Sequence, residues 1–391
     1  MSASFIATLR LANFRNYDAL ALDLTDAPVI LVGSNGAGKT NLLEAVSLLA
    51  PGQGLRRTPF PDLARMGGPG DWSVAATVET AHGPVSIGTG IQRGAATSAG
   101  GRGGRAQTSG RLVRIDGEPA SGSGALADYL EMVWLTPSMD GLFTGPAGDR
   151  RRFLDRLIIC FDPGYRTRAN QFERAMRQRN RLLEMDHVAP AMFEGLELQM
   201  AEIGIALAAT RAETVAQISA SINARRKNAP DSPFPWAELH LEGEIEQWLA
   251  SMPALDAEDA YVRQLAADRP RDRAARRTLT GPHRSDLLVG HGPKEMPARL
   301  CSTGEQKALL INLVLAHASL VKFARNGAAP ILLLDEIAAH LDVDRRAALF
   351  GEILKLGCQA WLTGTDKSAF EALDGKASGF FMQDAEIKAK F

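Results

Sequence analysis

Val29-Ile30-Leu31-Val32-Gly33-Ser34-Asn35-Gly36-Ala37-Gly38-Lys39-Thr40-Asn41 is the stretch on which the reading of the chain turns. Four aliphatic residues predict a short buried strand, a glycine-rich turn follows, and Asn41-Leu42-Leu43-Glu44-Ala45-Val46 reads as the start of a helix. Strand, turn and helix are the setting that a G-x-x-x-x-G-K-[ST] pattern requires. Glycines lack a Cβ, so consecutive backbone N–H groups can turn inward as an anion-binding nest, and the positive end of the helix dipole adds to the field. Gly33, Asn35, Gly36, Ala37, Gly38 and Asn41 are therefore expected to line a nucleotide's phosphates. Lys39 is expected to reach the β- and γ-phosphates, and the Thr40 hydroxyl to hold Mg²⁺. ATP and Mg²⁺ are the cofactors this implies.

A nucleotide phosphate also needs acids, and Ile331-Leu332-Leu333-Leu334-Asp335-Glu336 supplies them. A continuous apolar run reads as a buried parallel strand, and ligands gather at the carboxyl ends of such strands. Asp335 is expected to complete the Mg²⁺ shell, and Glu336 to orient or deprotonate an attacking water. Together with the phosphate loop the fold class is α/β, with mixed and parallel sheets.

Cys301-Ser302-Thr303-Gly304-Glu305-Gln306-Lys307 precedes an apolar helix, read as Ala308 to Phe323. Ser302 and Glu305 have the spacing of a capping box, which is a sufficient structural reading. The same geometry would present the Ser302 hydroxyl and the Gly304 N–H to a γ-phosphate. In that reading the phosphate loop and Ser302 meet nucleotides of different subunits, and an ATP-dependent homodimer follows. A helix over 343–356 and a strand over 358–362, ending in Thr363-Gly364-Thr365, complete the C-terminal part.

Outside these motifs the chain reads as alternating strands at 5–11, 20–24 and 72–90, the last with a turn at His82-Gly83. Residues 94–110 are rich in Gly, Ser and Ala and read as a flexible loop, whose Arg102 and Arg105, with Arg111, suit either solvent or a polyanion. Between 150 and 226 helices take over. Phe193, Leu196, Met200, Ile203 and Leu207 step by three and four as in a coiled-coil seam, Phe172, Ala175, Met176, Leu182 and Leu183 form a second stripe, and Val188-Ala189-Pro190 marks the turn. Domain boundaries are expected at 1–150, 151–277 and 278–391, the middle segment being a helical insert.

The net charge of −1 exerts no global pull on nucleic acid, yet arginine is clustered. One group holds Arg150, Arg151, Arg152, Arg156, Arg166, Arg168, Arg174, Arg177, Arg179 and Arg181; another holds Arg269, Arg271, Arg273, Arg276 and Arg277. Such groups suit a phosphate backbone, through counterion release, or a solvated helix face. No run of about 18 apolar residues suggests a membrane span, and the N-terminus lacks a signal-peptide pattern, so a cytoplasmic protein without membrane partners is expected. Cys160, Cys301 and Cys358 are too few and scattered for a disulfide frame or zinc site.

These parts together resemble the ATP-binding-cassette ATPases of the SMC group, and within it the RecF-like repair proteins. The resemblance covers nearly the whole chain and rests on several stretches. They are Leu11-Ala12-Asn13-Phe14-Arg15-Asn16-Tyr17, Gly33 to Ala45, Arg151-Arg152-Phe153-Leu154-Asp155, Thr280-Gly281-Pro282-His283-Arg284, Ser302-x-Gly304-x-x-Lys307 and Asp335-Glu336. It implies a two-lobed cassette-type ATPase head, ATP-driven dimerisation with slow hydrolysis, and binding to single-stranded and double-stranded DNA at gaps. RecO-, RecR- and RecA-type partners are implied in the same way. The long gap between Thr40 and Ser302 separates the chain from transporter cassettes. Thr303 stands where transporter signatures carry a second glycine, no Gln loop stands out around Pro137 to Asp140, and Thr363 or Thr365 falls where transporters carry a histidine. Two other readings are an ATP-clamped scaffold that barely hydrolyses, and an SMC-like chromosome organiser, which the lack of long arms disfavours.

Overall fold

The computed structural model describes residues 4–92, 110–338 and 341–391. In chain order, β1 (Phe5–Phe14) and β2 (Tyr17–Asp23) form a hairpin, and β3 (Val29–Val32) leads through the glycine turn into α1 (Lys39–Ser47). A second hairpin, β4 (Trp72–Thr80) and β5 (Gly83–Ile91), is followed by β6 (Leu112–Ile115), β7 (Glu118–Pro119) and β8 (Met132–Leu135). Then come α2 (Ala147–Ile159), α3 (Tyr165–Glu184), α4 (Ala191–Asn228), β9 (Ala237–Glu242), α5 (Glu244–Ser251), α6 (Ala254–Ala267) and α7 (Arg269–Ala275). The strands β10 (Asp286–His291) and β11 (Met296–Pro297) and the helix α8 (Thr303–Ala324) follow. The chain ends with β12 (Ile331–Leu334), α9 (Val343–Leu356), β13 (Ala360–Gly364), β14 (Ser378–Gln383) and β15 (Glu386–Lys390).

The chain packs as two compact units, Met1–Met139 with Val321–Phe391, and Asp140–Leu320. In the first, one sheet has the order β15-β14-β3-β13-β12-β8, with β3, β8, β12, β13 and β14 parallel. Every residue of β3, β8, β12 and β13 is buried, the reason these strands read as unbroken apolar runs. The other sheet is antiparallel, β2-β1-β4-β5-β6-β7, and its strands alternate: Leu9 and Leu11 of β1 and Val74 and Val78 of β4 point inward. One core joins these side chains to Leu42, Leu43 and Val46 of α1 and to Val29, Leu31, Leu333 and Trp361. Each such aliphatic contributes about 1.5–3 kcal/mol by leaving water, so the helix carrying Lys39 and Thr40 is held on a rigid base.

In the second unit β9, β10 and β11 form a small antiparallel sheet, with β10 central. The pairing of β9 with β10, from Ala237↔His291 to Glu242↔Asp286, ties residues 286–291 to the helical segment. The unit therefore extends beyond the expected insert of residues 151–277, to Leu320. The antiparallel pair α3 and α4 turns near Val188–Pro190 as expected, but the seam sits differently on α4. Leu196 and Ile203 are only half-buried, whereas Glu197, Gly204 and Arg211 face inward. Gly204 is there because Tyr261 of α6 packs on it: a Cβ would come within 2.9 Å of the ring. So α4 is covered by α6 as well as α3, and its inward face is wider than a coiled-coil stripe.

The helix α8 is 22 residues and apolar enough to pass a length-and-composition test for a membrane span. Of its most apolar window 72% is buried within the fold, which marks it as a core helix.

Candidate nucleotide site

The glycine turn delivers the backbone that the phosphate pattern calls for. Gly36 and Gly38 have φ of 88° and 104°, left-handed values at which a side chain is strained. Space is also closed: a Cβ on Gly38 would lie 2.6 Å from the Tyr17 hydroxyl, and one on Gly33 would lie 2.2 Å from the Met382 carbonyl oxygen. Helix α1 then begins with no side-chain cap and no acid in its first turn. Helices α2 to α7 also begin without a side-chain cap, whereas α9 is capped by Asp342, so the left-handed glycines and Lys39 are what distinguish the start of α1. A helix start left without a side-chain acceptor is suited to an external anion.

Lys39 is buried, and its ammonium donates to the carbonyls of Gly33 (2.6 Å) and Ser34 (2.9 Å). Burial lowers its pKa from the ordinary lysine value, with Glu336 and Asp335 pulling the other way. The acidic pair follows β12 directly, so parallel pairing fixes its place relative to β13 and, through it, β3. Thr40 Oγ1 donates to Asp335 Oδ1 at 3.0 Å, across 295 residues of sequence. Thr363 Oγ1, on β13, donates to the same oxygen at 2.8 Å and accepts from the Glu336 N–H at 2.8 Å. Glu336 has φ 50°, so the backbone turns sharply just where its carboxylate must leave the strand.

A hydroxyl and one carboxylate thus converge, and among the described residues no group of three or more His, Cys, Asp and Glu could hold a metal. That donor set fits Mg²⁺, which takes few protein ligands and fills its shell with water and phosphate oxygens. Thr40 and Asp335 would hold it.

The remaining predicted residues divide between the two units. Asn35 and Gly36 lie exposed on the turn, Ala37 is buried and its carbonyl accepts from the Ala385 N–H, and Asn41 donates to Asn16 Oδ1 at 2.8 Å. These and Asp335-Glu336 belong to the first unit; Ser302 and Gly304 open α8 in the second. Ser302 and Glu305 form the capping box: the Ser302 N–H donates to Glu305 Oε2 (3.0 Å), and the Glu305 N–H to Ser302 Oγ (3.4 Å).

The contacts of three groups escaped the sequence reading. In sequence Thr363 shows only as falling where transporters carry a histidine; the strand expected at 358–362 in fact runs Ala360–Gly364, which makes Thr363 a buried strand residue bonded to Asp335. Tyr17 is another: its hydroxyl donates to the Gly38 carbonyl at 2.9 Å, and burial raises its pKa well above the phenol range. The third is buried Glu44 of α1, gripped by Arg15 through Nε (2.8 Å) and Nη2 (2.9 Å) and by Thr58. The Phe14-Arg15-Asn16-Tyr17 turn is thereby clamped onto α1, a signal visible in sequence only as a family match. Thr363→Val should destabilise the protein by about 1–3 kcal/mol in urea unfolding, because Asp335 and the Glu336 N–H each lose a buried partner without a change of shape.

The structure corrects the arginine clusters in part. Some of their members are paired with acids, a few from distant segments and others from within six residues. Arg150 grips Asp286 with Nε (2.8 Å) and Nη2 (2.7 Å); Arg168 pairs with Asp162, Arg271 with Asp268, and Arg152 with Asp149. Arg179 is wholly buried between Glu197 (3.0 Å) and Asp272 (2.7 Å), and Arg269 reaches Glu197 from outside. Arg111 donates to the Gly52 and Leu48 carbonyls just beyond α1, while Arg102 and Arg105 lie outside the described residues. Arg174, Arg177 and Arg181 stay exposed on α3, Arg177 with Glu173 at 3.7 Å, and so do Arg152 and, in the second cluster, Arg271, Arg273, Arg276 and Arg277. Cys160, Cys301 and Cys358 are buried and form no disulfide.

A glycine turn on a central parallel strand, with an acidic pair ending a nearby strand, defines a phosphate-loop fold of the cassette-ATPase class. Residues 5–389 match the model of the RecF/RecN/SMC N-terminal domain. The "DNA replication and repair protein RecF" of Mesorhizobium japonicum is 54% identical over 373 residues, 95% of this chain and 94% of that protein. The same-named protein of Brucella suis is 50% identical over 383 residues, 98% and 95% of the two chains. The chain belongs to the RecF family of SMC-type proteins. Among solved structures, that of the recombination mediator protein RecF-ATPrS in the RecFOR pathway superposes with a TM-score of 0.84 at 21% identity, covering 99% of this chain and 98% of that one. A Pyrococcus furiosus Smc head bound to the C-terminal domain of ScpA gives 0.53 at 16% identity, covering 99% and 96%. The last two likenesses speak for the fold.

Proposed function

We propose that this chain binds ATP with Mg²⁺, closes into a homodimer around it, and serves as a DNA-binding switch in replication and recombinational repair. The observation that carries the reading is the chain of contacts Thr40–Asp335–Thr363–Glu336 beside Lys39 and an uncapped helix start. When bound, the metal supplies charge neutralisation and a template for the phosphates. Lys39 offsets charge on the β- and γ-phosphates, Asp335 is oriented by two hydroxyls, and Glu336 orients or deprotonates a water. Catalysis of this kind is positioning plus electrostatics, and with few groups engaged a slow ATPase is expected.

Ser302 and Gly304 stand at the start of a helix in the other unit, and we assign them to the γ-phosphate held by a second copy. The relatives' name and the RecFOR setting of the solved RecF support action at DNA gaps, with RecO- and RecR-type partners and RecA loading as the outcome. For the DNA itself the contact surface is the exposed part of the two arginine clusters, Arg174, Arg177 and Arg181 with Arg273, Arg276 and Arg277, for single and double strands alike. A cytoplasmic location follows from that role.

Ser302→Arg tests the split site. Equilibrium dialysis should find ATP binding unchanged, and light scattering should find no ATP-dependent dimer. A dimer that forms normally in this variant would remove Ser302 from the shared site.

A further inference from the structure

The serine that opens α8 is already engaged with an anion. Both the Ser302 N–H and the Ser302 hydroxyl donate to Glu305 Oε2, at 3.0 and 2.9 Å. A capping box uses a carboxylate to meet a backbone N–H; here the hydroxyl, the group that would face a phosphate, is spent on it too. The carboxylate is itself held from outside the helix. Lys294, on the short turn between β10 and β11, pairs with Glu305 Oε1. Lys294 is half-exposed and Glu305 partly so, which leaves the pair open to replacement from solvent. Lys294 and the Ser302 contacts hold the Glu305 carboxyl down to about 2, so it is an anion at any physiological pH.

We infer that Glu305 is a displaceable stand-in for the γ-phosphate of a second copy's ATP, and that Lys294 passes from the carboxylate to the phosphate when the dimer closes. The inference rests on the shared-site reading above and deepens it. Two anions cannot share Ser302 without repulsion, so the carboxylate must swing away before the phosphate can dock. Lys294 offsets that cost, because its ammonium exchanges one oxyanion for another rather than losing a partner. The latch would keep copies apart until a triphosphate, with its terminal charge, competes for the serine; a diphosphate lacks the group that does so.

The test uses the full chain and two variants, with ATP and with ADP, reading dimer formation by sedimentation velocity over a protein dilution series. Glu305→Gln keeps the capping hydrogen bonds, since Gln serves in a capping box, but removes the charge. It should dimerise with ATP at a protein concentration about tenfold lower than the unaltered chain. Lys294→Ala should need a concentration about tenfold higher. Nucleotide affinity, measured below the dimerisation range, should not change in either, because the phosphate loop lies in the other unit. Equal or weaker ATP-dependent dimerisation in Glu305→Gln, or unaltered dimerisation in Lys294→Ala, would overturn the exchange. If Ser302→Arg blocks dimerisation while Glu305→Gln has no effect, the exchange fails and the shared site stands. If Ser302→Arg dimerises normally, the shared site fails first.

Discussion

Lys39→Ala is expected to weaken ATP binding by about a hundredfold or more, the consequence of losing a charge-assisted contact of about 3 kcal/mol. The ammonium is already aimed: it is buried, bonded to the Gly33 and Ser34 carbonyls, and near both Asp335 and Glu336. Those acids would otherwise repel a triphosphate, so removing the Lys39 ammonium turns the cradle's field against its ligand. The fold should lose little, because the substitution removes a desolvated charge along with its hydrogen bonds. Isothermal titration measures the affinity, and a thermal melt by circular dichroism checks the fold. Affinity within threefold of the unaltered chain would show that the loop does not bind phosphate.

The largest effect on stability should come from a residue that the sequence leaves open between a phosphate backbone and a solvated helix face. Arg179 is fully buried, with Glu197 and Asp272 also buried, and it donates further to Thr278 Oγ1 (2.9 Å) and the Leu265 carbonyl (2.7 Å). Arg179→Leu leaves two carboxylates in the interior with only Arg269 near Glu197, and should cost about 3–5 kcal/mol. For a unit of this size the melting temperature should fall by roughly 10 °C. Putting leucine at Asp272 as well should recover part of the loss, since Glu197 keeps Arg269 and no buried acid is then left without a cation. Calorimetry is the measurement. A fall under about 1 kcal/mol would mean that water reaches the network, against the packing described here.

Arg179 also shows why half the chain was legible and half was not. The phosphate loop, the acidic strand and the strand alternation are local patterns, and local geometry delivers them: Gly33 to Thr40, Asp335 and Glu336 come together in one unit through parallel pairing. The capping box at Ser302 was legible for the same reason. Charge pairing is only partly local. Arg150 meets Asp286 and Arg179 meets Asp272 across roughly a hundred residues, so a run that looks one-signed along the chain is partly neutralised in space. The bond of Thr363 to Asp335 was missed because a strand boundary moved by two residues, and that of Tyr17 because nothing in its neighbours announces a hydroxyl bonded to Gly38. The seam on α4 misled similarly: Glu197 and Arg211 are polar letters on a buried face, the latter paired to Asp155 at 2.9 Å.

In the proposed dimer one complete nucleotide site takes the phosphate loop of one copy and the Ser302 segment of another. Mixing two inactive variants tests it. Lys39→Ala retains Ser302 but cannot hold ATP; Ser302→Arg holds ATP but cannot cover a neighbour's. Each alone should lack ATP-dependent dimerisation and turnover. Mixed in equal amounts they can build a heterodimer with one intact site, and ATP hydrolysis should reappear in the mixture. Turnover that stays at the level of the separate variants, or that either variant shows alone, would contradict the shared site.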